Sequence, residues 1–104
     1  MNQRTFWIYI LSSRSPNLYI GVTNDIAVRV HQHKTKVLGG FTARYNIDRL
    51  VNFEQYPTAE QAIAREKELK SWRRSLKTEL IDNDNPAWDD LSSGWLEPID
   101  TNSR

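Results

Sequence analysis

The chain has 104 residues, 14 Lys/Arg against 13 Asp/Glu, and no cysteine. That length suits one compact domain, and the missing thiols exclude disulfides and thiolate metal sites. No apolar run nears the roughly 20 residues of a membrane span, and "MNQRTFWIYIL" is too short and too alternating for a signal peptide. A soluble cytoplasmic protein is therefore expected. The near-neutral total hides an asymmetry: residues 1–81 carry 13 Lys/Arg against 7 Asp/Glu, whereas 82–104 carry one Arg against six acids. A basic body with an acidic end suits a polyanionic partner, although an ordinary solvated surface gives the same count.

"TFWIYIL" (5–11) is rich in β-branched and aromatic residues and reads as a strand. "SSRSPN" (12–17) is turn chemistry, and "LYIGVT" (18–23) completes a hairpin. A turn centred near Arg14 sets Tyr9 opposite Tyr19, with both side chains on one sheet face. Asn24 or Thr23 caps a helix from about Asp25 to Lys34. "TKVLGGFTARYN" (35–46) reads as a loop with a Gly39-Gly40 pivot, whose basic residues and Phe41 could lie over a ligand. "DRLVNFEQY" (48–56) is a third strand.

Thr58 and Gln61 fit a capping box opening a long helix to about Asp82, bent or split near Ser71. "NDNPAWDDLSSGW" follows, and "LEPIDTNSR" reads as a frayed end. The order ββαβα predicts a small α/β (α+β) domain over residues 1–91, with a three-stranded, mainly antiparallel sheet flanked by helices. Residues 92–104 are expected to be a flexible acidic tail.

Certain residues do not suit a core. On the first helix Ile26, Arg29, Val30 and His33 share one face at i, i+3, i+4 and i+7. On the long helix, read as continuous, Ala59, Ala62, Leu69, Trp72, Leu76 and Leu80 form an apolar stripe that also holds Glu66 and Arg73. A buried carboxylate needs a cation, donors or a metal. A structural Glu66–Arg73 pair, or a Glu66 in water at the edge of the stripe, would explain it without chemistry. Arg29 and His33 could likewise be boundary residues reaching solvent. Taken together, an arginine, an imidazole, a carboxylate and two phenols could support metal-assisted phosphodiester cleavage.

In "WIY" (7–9), "YIG" (19–21), "AVRVHQH" (27–33), "EQAIAREKELKSW" (60–72) and "NPAWDDL" (85–91) the sequence resembles the GIY-YIG nucleases. It is most similar to small stand-alone bacterial members, themselves likened to the N-terminal nuclease domain of an excision-repair subunit. The resemblance implies the GIY-YIG fold and a metal-dependent endonuclease hydrolysing DNA phosphodiesters, in DNA repair or recombination. It implies Tyr9 as general base or its relay, Tyr19 beside the scissile phosphate, Arg29 as the catalytic arginine and His33 at a position that is often His or Tyr. Glu66 would be the one metal-binding carboxylate, for Mg²⁺ or Mn²⁺. Gly21 would let backbone or substrate approach, and Asn24, Arg44 and Asn85 are assigned to substrate binding.

Trp7 replaces the family's first glycine, and Val22 and Asn24 stand where some relatives carry a lysine, which implies slower turnover. Specificity is expected to need a protein partner or a homodimer. Two other functions remain open: a nucleic-acid-binding module with weak or no catalysis, using the basic body and the Arg44 loop, and a protein-docking scaffold using Trp88 and Trp95. The acidic tail could also mimic nucleic acid and cover the basic face.

Overall fold

A computed structural model describes residues 5–95. The elements run β1 (Phe6–Ser12), β2 (Leu18–Thr23), α1 (Ile26–Lys34), α2 (Gly40–Arg44), β3 (Arg49–Tyr56), α3 (Ala59–Ser71) and α4 (Arg74–Asp84). The sheet is antiparallel, in the order β2-β1-β3. β1 is central and covered on both faces, which is why Ile8 to Ser12 are all buried instead of alternating.

One face of the sheet carries Ile8, Ile10, Ile20 and Val51, packed against Ala62 and Leu69 of α3 and Ile81 of α4. The other carries Tyr9, Leu11 and Leu50, packed against Ile26 and Val30 of α1. A bulge between Ile10 and Leu11 in the β1–β3 pairing leaves Val51 as the extra residue of β3. Leu50 and Val51 point into the two opposite cores.

The hairpin register differs from the expected one. Tyr9 stands opposite Gly21, and Tyr19 opposite Leu11. The turn centres on Ser15, because Ser13 ties it by accepting Asn17 N–H at its hydroxyl, 3.0 Å, and by donating its own N–H to Asn17 O, 3.1 Å. The shift is an even number of residues, so Tyr9 and Tyr19 still share a face.

The 35–46 segment is more than a loop. Gly39 and Gly40 both take positive φ, 65° and 72°, and the short helix α2 follows them. The long helix divides: Trp72 and Arg73 are extended, with ψ of 147° and 158°. Helical phase restarts after the break, so Ile81 is the buried residue of α4, while Leu76 and Arg73 face outward. The single stripe expected through both halves is thus corrected to two. The Thr58 cap is present, its hydroxyl accepting Gln61 N–H at 3.1 Å.

The acids of 82–90 serve the fold. Asp82 accepts from Trp88 Nε1 at 2.6 Å, and Asp84 accepts from Asn52 Nδ2 at 3.3 Å. Asp90 accepts from Leu50 N at 3.2 Å and pairs with Lys34. Residues 92–95 pack on the domain, with Ser92 buried and the Trp95 ring 5.9 Å from that of Phe53. Trp88 and Trp95 thus lie partly buried against the two cores. The remainder of the expected tail, 96–104, lies outside the described residues.

Candidate active site

Four side chains expected at the site converge on the α1 face of the sheet. Tyr9 rises from the middle of the central strand and is fully buried. Its ring lies across Gly21, where a Cβ would stand 2.4 Å from Tyr9 Oη and 2.5 Å from Cζ. The missing side chain is therefore what lets the phenol occupy this position. Tyr19 lies on the same face, its ring centroid 6.1 Å from that of Tyr9.

The β2–α1 corner sets the third and fourth groups. Thr23 Oγ1 accepts Asp25 N–H at 3.0 Å, and the Asp25 carboxylate caps α1 by accepting Val28 N–H at 3.2 Å. Asp25 is thus the cap, in place of the expected Thr23 or Asn24. With α1 so anchored, Ile26 and Val30 enter the core and His33 follows one turn later.

His33 is buried, so it is not a boundary residue reaching solvent. Its ring lies 5.7 Å from Tyr9 and 5.4 Å from Tyr19. Nε2 is hydrogen-bonded to Tyr9 Oη and Nδ1 to Thr42 Oγ1, each at 3.1 Å. Thr42 was not singled out beforehand. Nothing local marks it in "GFTARY", since its partner is nine residues away and on another helix.

Arg29 is half-buried beside the pair. Burial and the neighbouring Tyr19 push the Tyr9 phenol up to about 12, against the opposing pull of the Arg29 guanidinium. Burial, and then the same guanidinium, hold His33 below the ordinary imidazole value, with Asp48 acting weakly the other way. At neutral pH the cluster is therefore a protonated phenol bonded to a neutral imidazole, next to a permanent cation. Two arrangements satisfy the bonds. In one, Tyr9 donates to Nε2 and Nδ1–H donates to Thr42; in the other, both are reversed.

The remaining candidates lie elsewhere. Glu66 sits on α3, the layer across the sheet from the tyrosines; its side chain is 20% exposed. It pairs with Lys70 at 2.9 Å and not with Arg73. Asn24 is exposed in the β2–α1 corner, and Arg44 is exposed on α2, 5.6 Å over the Tyr45 ring. Asn85 is buried. Its amide donates to Val51 O and Asp89 O and accepts Asp89 N–H. These bonds tie the α4 C-terminus to β3. Size does not mark the site either: a cleft of about 450 Å³ opens at the turn end of the sheet, lined by Arg14, Tyr45 and Arg49 among others.

Comparison with known proteins gives the family. The family profile of the GIY-YIG catalytic domain matches residues 5–79. The chain belongs to the GIY-YIG family, a nuclease-type family whose domain implies nucleic-acid binding. Its relatives are UPF0213 proteins: that of Haloquadratum walsbyi is 33% identical over 73% of this chain and 85% of its own, and that of Staphylococcus aureus (strain Mu50) is 32% identical over 72% and 92%. The solution NMR structure of a UPF0213 protein from Bacillus halodurans superposes with a TM-score of 0.55 at 25% identity, covering 86% of this chain and 95% of that one. The fold expected from the resemblance is the one observed. Among the described residues, no helix is long and apolar enough to cross a membrane.

Proposed function

We propose that this chain is a metal-dependent endonuclease that hydrolyses DNA phosphodiester bonds at the Tyr9–Tyr19–Arg29–His33 cluster. The observation that carries the reading is the Tyr9–His33 hydrogen bond beside Arg29. A phenol with its pKa near 12 is a poor base by itself. Paired with a neutral imidazole, it can take a proton from the attacking water while passing its own to Nε2. In that arrangement Nδ1–H donates to Thr42 Oγ1, which keeps the ring oriented toward Tyr9. Arg29 supplies fixed positive charge to the phosphate as the new P–O bond forms and the old one breaks. Tyr19 donates its hydroxyl hydrogen to a phosphate oxygen.

Glu66 is the residue that would hold Mg²⁺ or Mn²⁺. One hard, largely buried carboxylate fits an ion that keeps most of its waters and takes its remaining ligands from substrate phosphate. Among the described residues no cluster of three or more such side chains forms a cage. When bound, the ion polarises the phosphate and offsets charge on the leaving oxygen. β2 is one edge of the sheet, and this reading requires a phosphate lying against it to meet groups from both layers. The Lys70 partner is half-exposed and can swing away. DNA repair or recombination is the setting that the sequence resemblance implies.

A second reading, a nucleic-acid-binding module without cleavage, draws on Glu66 being neutralised by Lys70 and carried on the opposite layer. Labelled single-stranded, duplex, flap and branched DNA, incubated with the purified chain in Mg²⁺, Mn²⁺ or EDTA, separates the two. Cutting that depends on metal supports the nuclease. Salt-sensitive binding that ignores the metal, with no cutting, supports the module.

A further inference from the structure

The outer face of α2 has no part in the chemistry above, yet it is the most exposed apolar surface near the site. Val37 is 69% exposed, Phe41 53%, Leu38 46% and Tyr45 44%. The Phe41 and Tyr45 rings lie 5.0 Å apart at 54°, both residues remain exposed, and the Arg44 guanidinium lies 5.6 Å over the Tyr45 ring. The Gly39-Gly40 pivot presents this surface while turning Thr42 inward. Thr42 is the neighbour of Phe41 and bonds His33, which bonds Tyr9. α2 and its C-cap residue Tyr45 therefore carry both the aromatic pair and Thr42, the anchor of the candidate site.

Charge selects the occupant. Between Asp25 and Asp48 the chain has no acid and four cations: Arg29, Lys34, Lys36 and Arg44. Lys34 pairs with Asp90 and Lys36 lies 3.9 Å from Asp48. Among the described residues, Arg29 and Arg44 have no acidic partner within ion-pair distance. Aromatic faces set among unneutralised cations match the π-faces and phosphates of an unstacked nucleic-acid strand. A duplex keeps its bases stacked and offers only phosphates.

We propose that α2 is a base-stacking platform for unpaired DNA, so that the substrate is a single-stranded or branched segment whose bases stack on Phe41 and Tyr45. The proposal rests on the nuclease reading for placing the strand next to Tyr9. Binding to a single-stranded oligonucleotide and to a duplex of equal length is measured in EDTA, where cutting does not interfere. Wild type is compared with Phe41→Leu and Tyr45→Leu, which keep apolar bulk but lose the ring. The expected result is about a tenfold loss per substitution on the single strand and little change on the duplex. As a check that needs no variant, 2-aminopurine placed along the single strand should lose fluorescence when wild type binds.

Equal losses on both substrates, or no loss, overturn the proposal. So does a single-stranded RNA of the same sequence binding more tightly than the DNA. A dimer in sedimentation that Phe41→Leu dissociates without changing strand preference would reassign the face to a second copy of the chain. Because these readouts are taken without metal, failure to cleave DNA removes the nuclease reading alone, and failure to prefer single strands removes this one alone.

Discussion

Gly21 and Tyr9 are one unit, and the collision between them makes it testable. A methyl at position 21 would overlap the phenol, which is fully buried. Gly21→Ala should cost about 2 kcal/mol or more in chemical denaturation and abolish cleavage by displacing Tyr9. Tyr9→Phe keeps the ring and should fold, because only a hydroxyl is removed. That hydroxyl also leaves a mark on stability. Its folded pKa, about 12, lies above the unfolded value of 10.0, so the stabilisation is complete below pH 10 and is lost as pH rises toward 12. Tyr9→Phe should flatten that alkaline decline in a denaturation series. For His33 the shift runs the other way, below 6.5. Cleavage should reach its plateau with an acid limb below 6.5, and stability should rise with pH up to 6.5 and level off above it. Tyr9, Tyr19, Gly21, Arg29 and His33 were legible because face periodicity and family resemblance point to them together. Thr42 was not, because its importance arises from a contact across two helices.

Among elements, α3 is fixed to the sheet by a clasp that no periodicity shows. Arg65 Nε and NH2 bond the two oxygens of Glu54 on β3 at 2.8 and 3.0 Å, Tyr56 Oη donates to the same carboxylate at 2.7 Å, and the guanidinium lies 5.2 Å over Trp72. Arg65→Ala should lower stability by about 1–2 kcal/mol, read by denaturant midpoint, since it strands a half-buried carboxylate. A second clasp closes the C-terminal turn. Burial alone would raise the Asp90 pKa, but Lys34 and Ser92 outweigh it and hold the carboxyl below its ordinary 3.8. This stabilisation is present above the unfolded value and is lost as pH falls through the depressed one; Asp90→Asn should remove that part of the acid sensitivity. Strand and helix positions were readable from composition and caps. The α3–α4 break was readable only as a bend near Ser71. Its effect on phase was not, so Leu76 and Arg73 were placed on a buried face that belongs to Ile81.

At the scale of the molecule, the three layers explain why an arginine and a histidine sit on a core-facing helix. α1 packs through Ile26 and Val30, and the same face delivers Arg29 and His33 to the tyrosines of the central and edge strands. Glu66 comes from the opposite layer, and the proposed mechanism needs both layers to meet one phosphate at the β2 edge. The acidic end of the chain, 82–104, resolves into acids that bind the fold at 82–90 and a segment, 96–104, outside the described residues. The most direct measurement is cleavage of labelled branched and single-stranded DNA in Mg²⁺ by wild type, Tyr9→Phe, Arg29→Ala and Glu66→Ala, purified identically and shown to be folded. Wild type should cut, and each substitution should reduce the rate by at least about a hundredfold while retaining binding. Equal cutting by wild type and Glu66→Ala, or no cutting by wild type on any substrate, would contradict the assignment of this cluster as a metal-dependent nuclease.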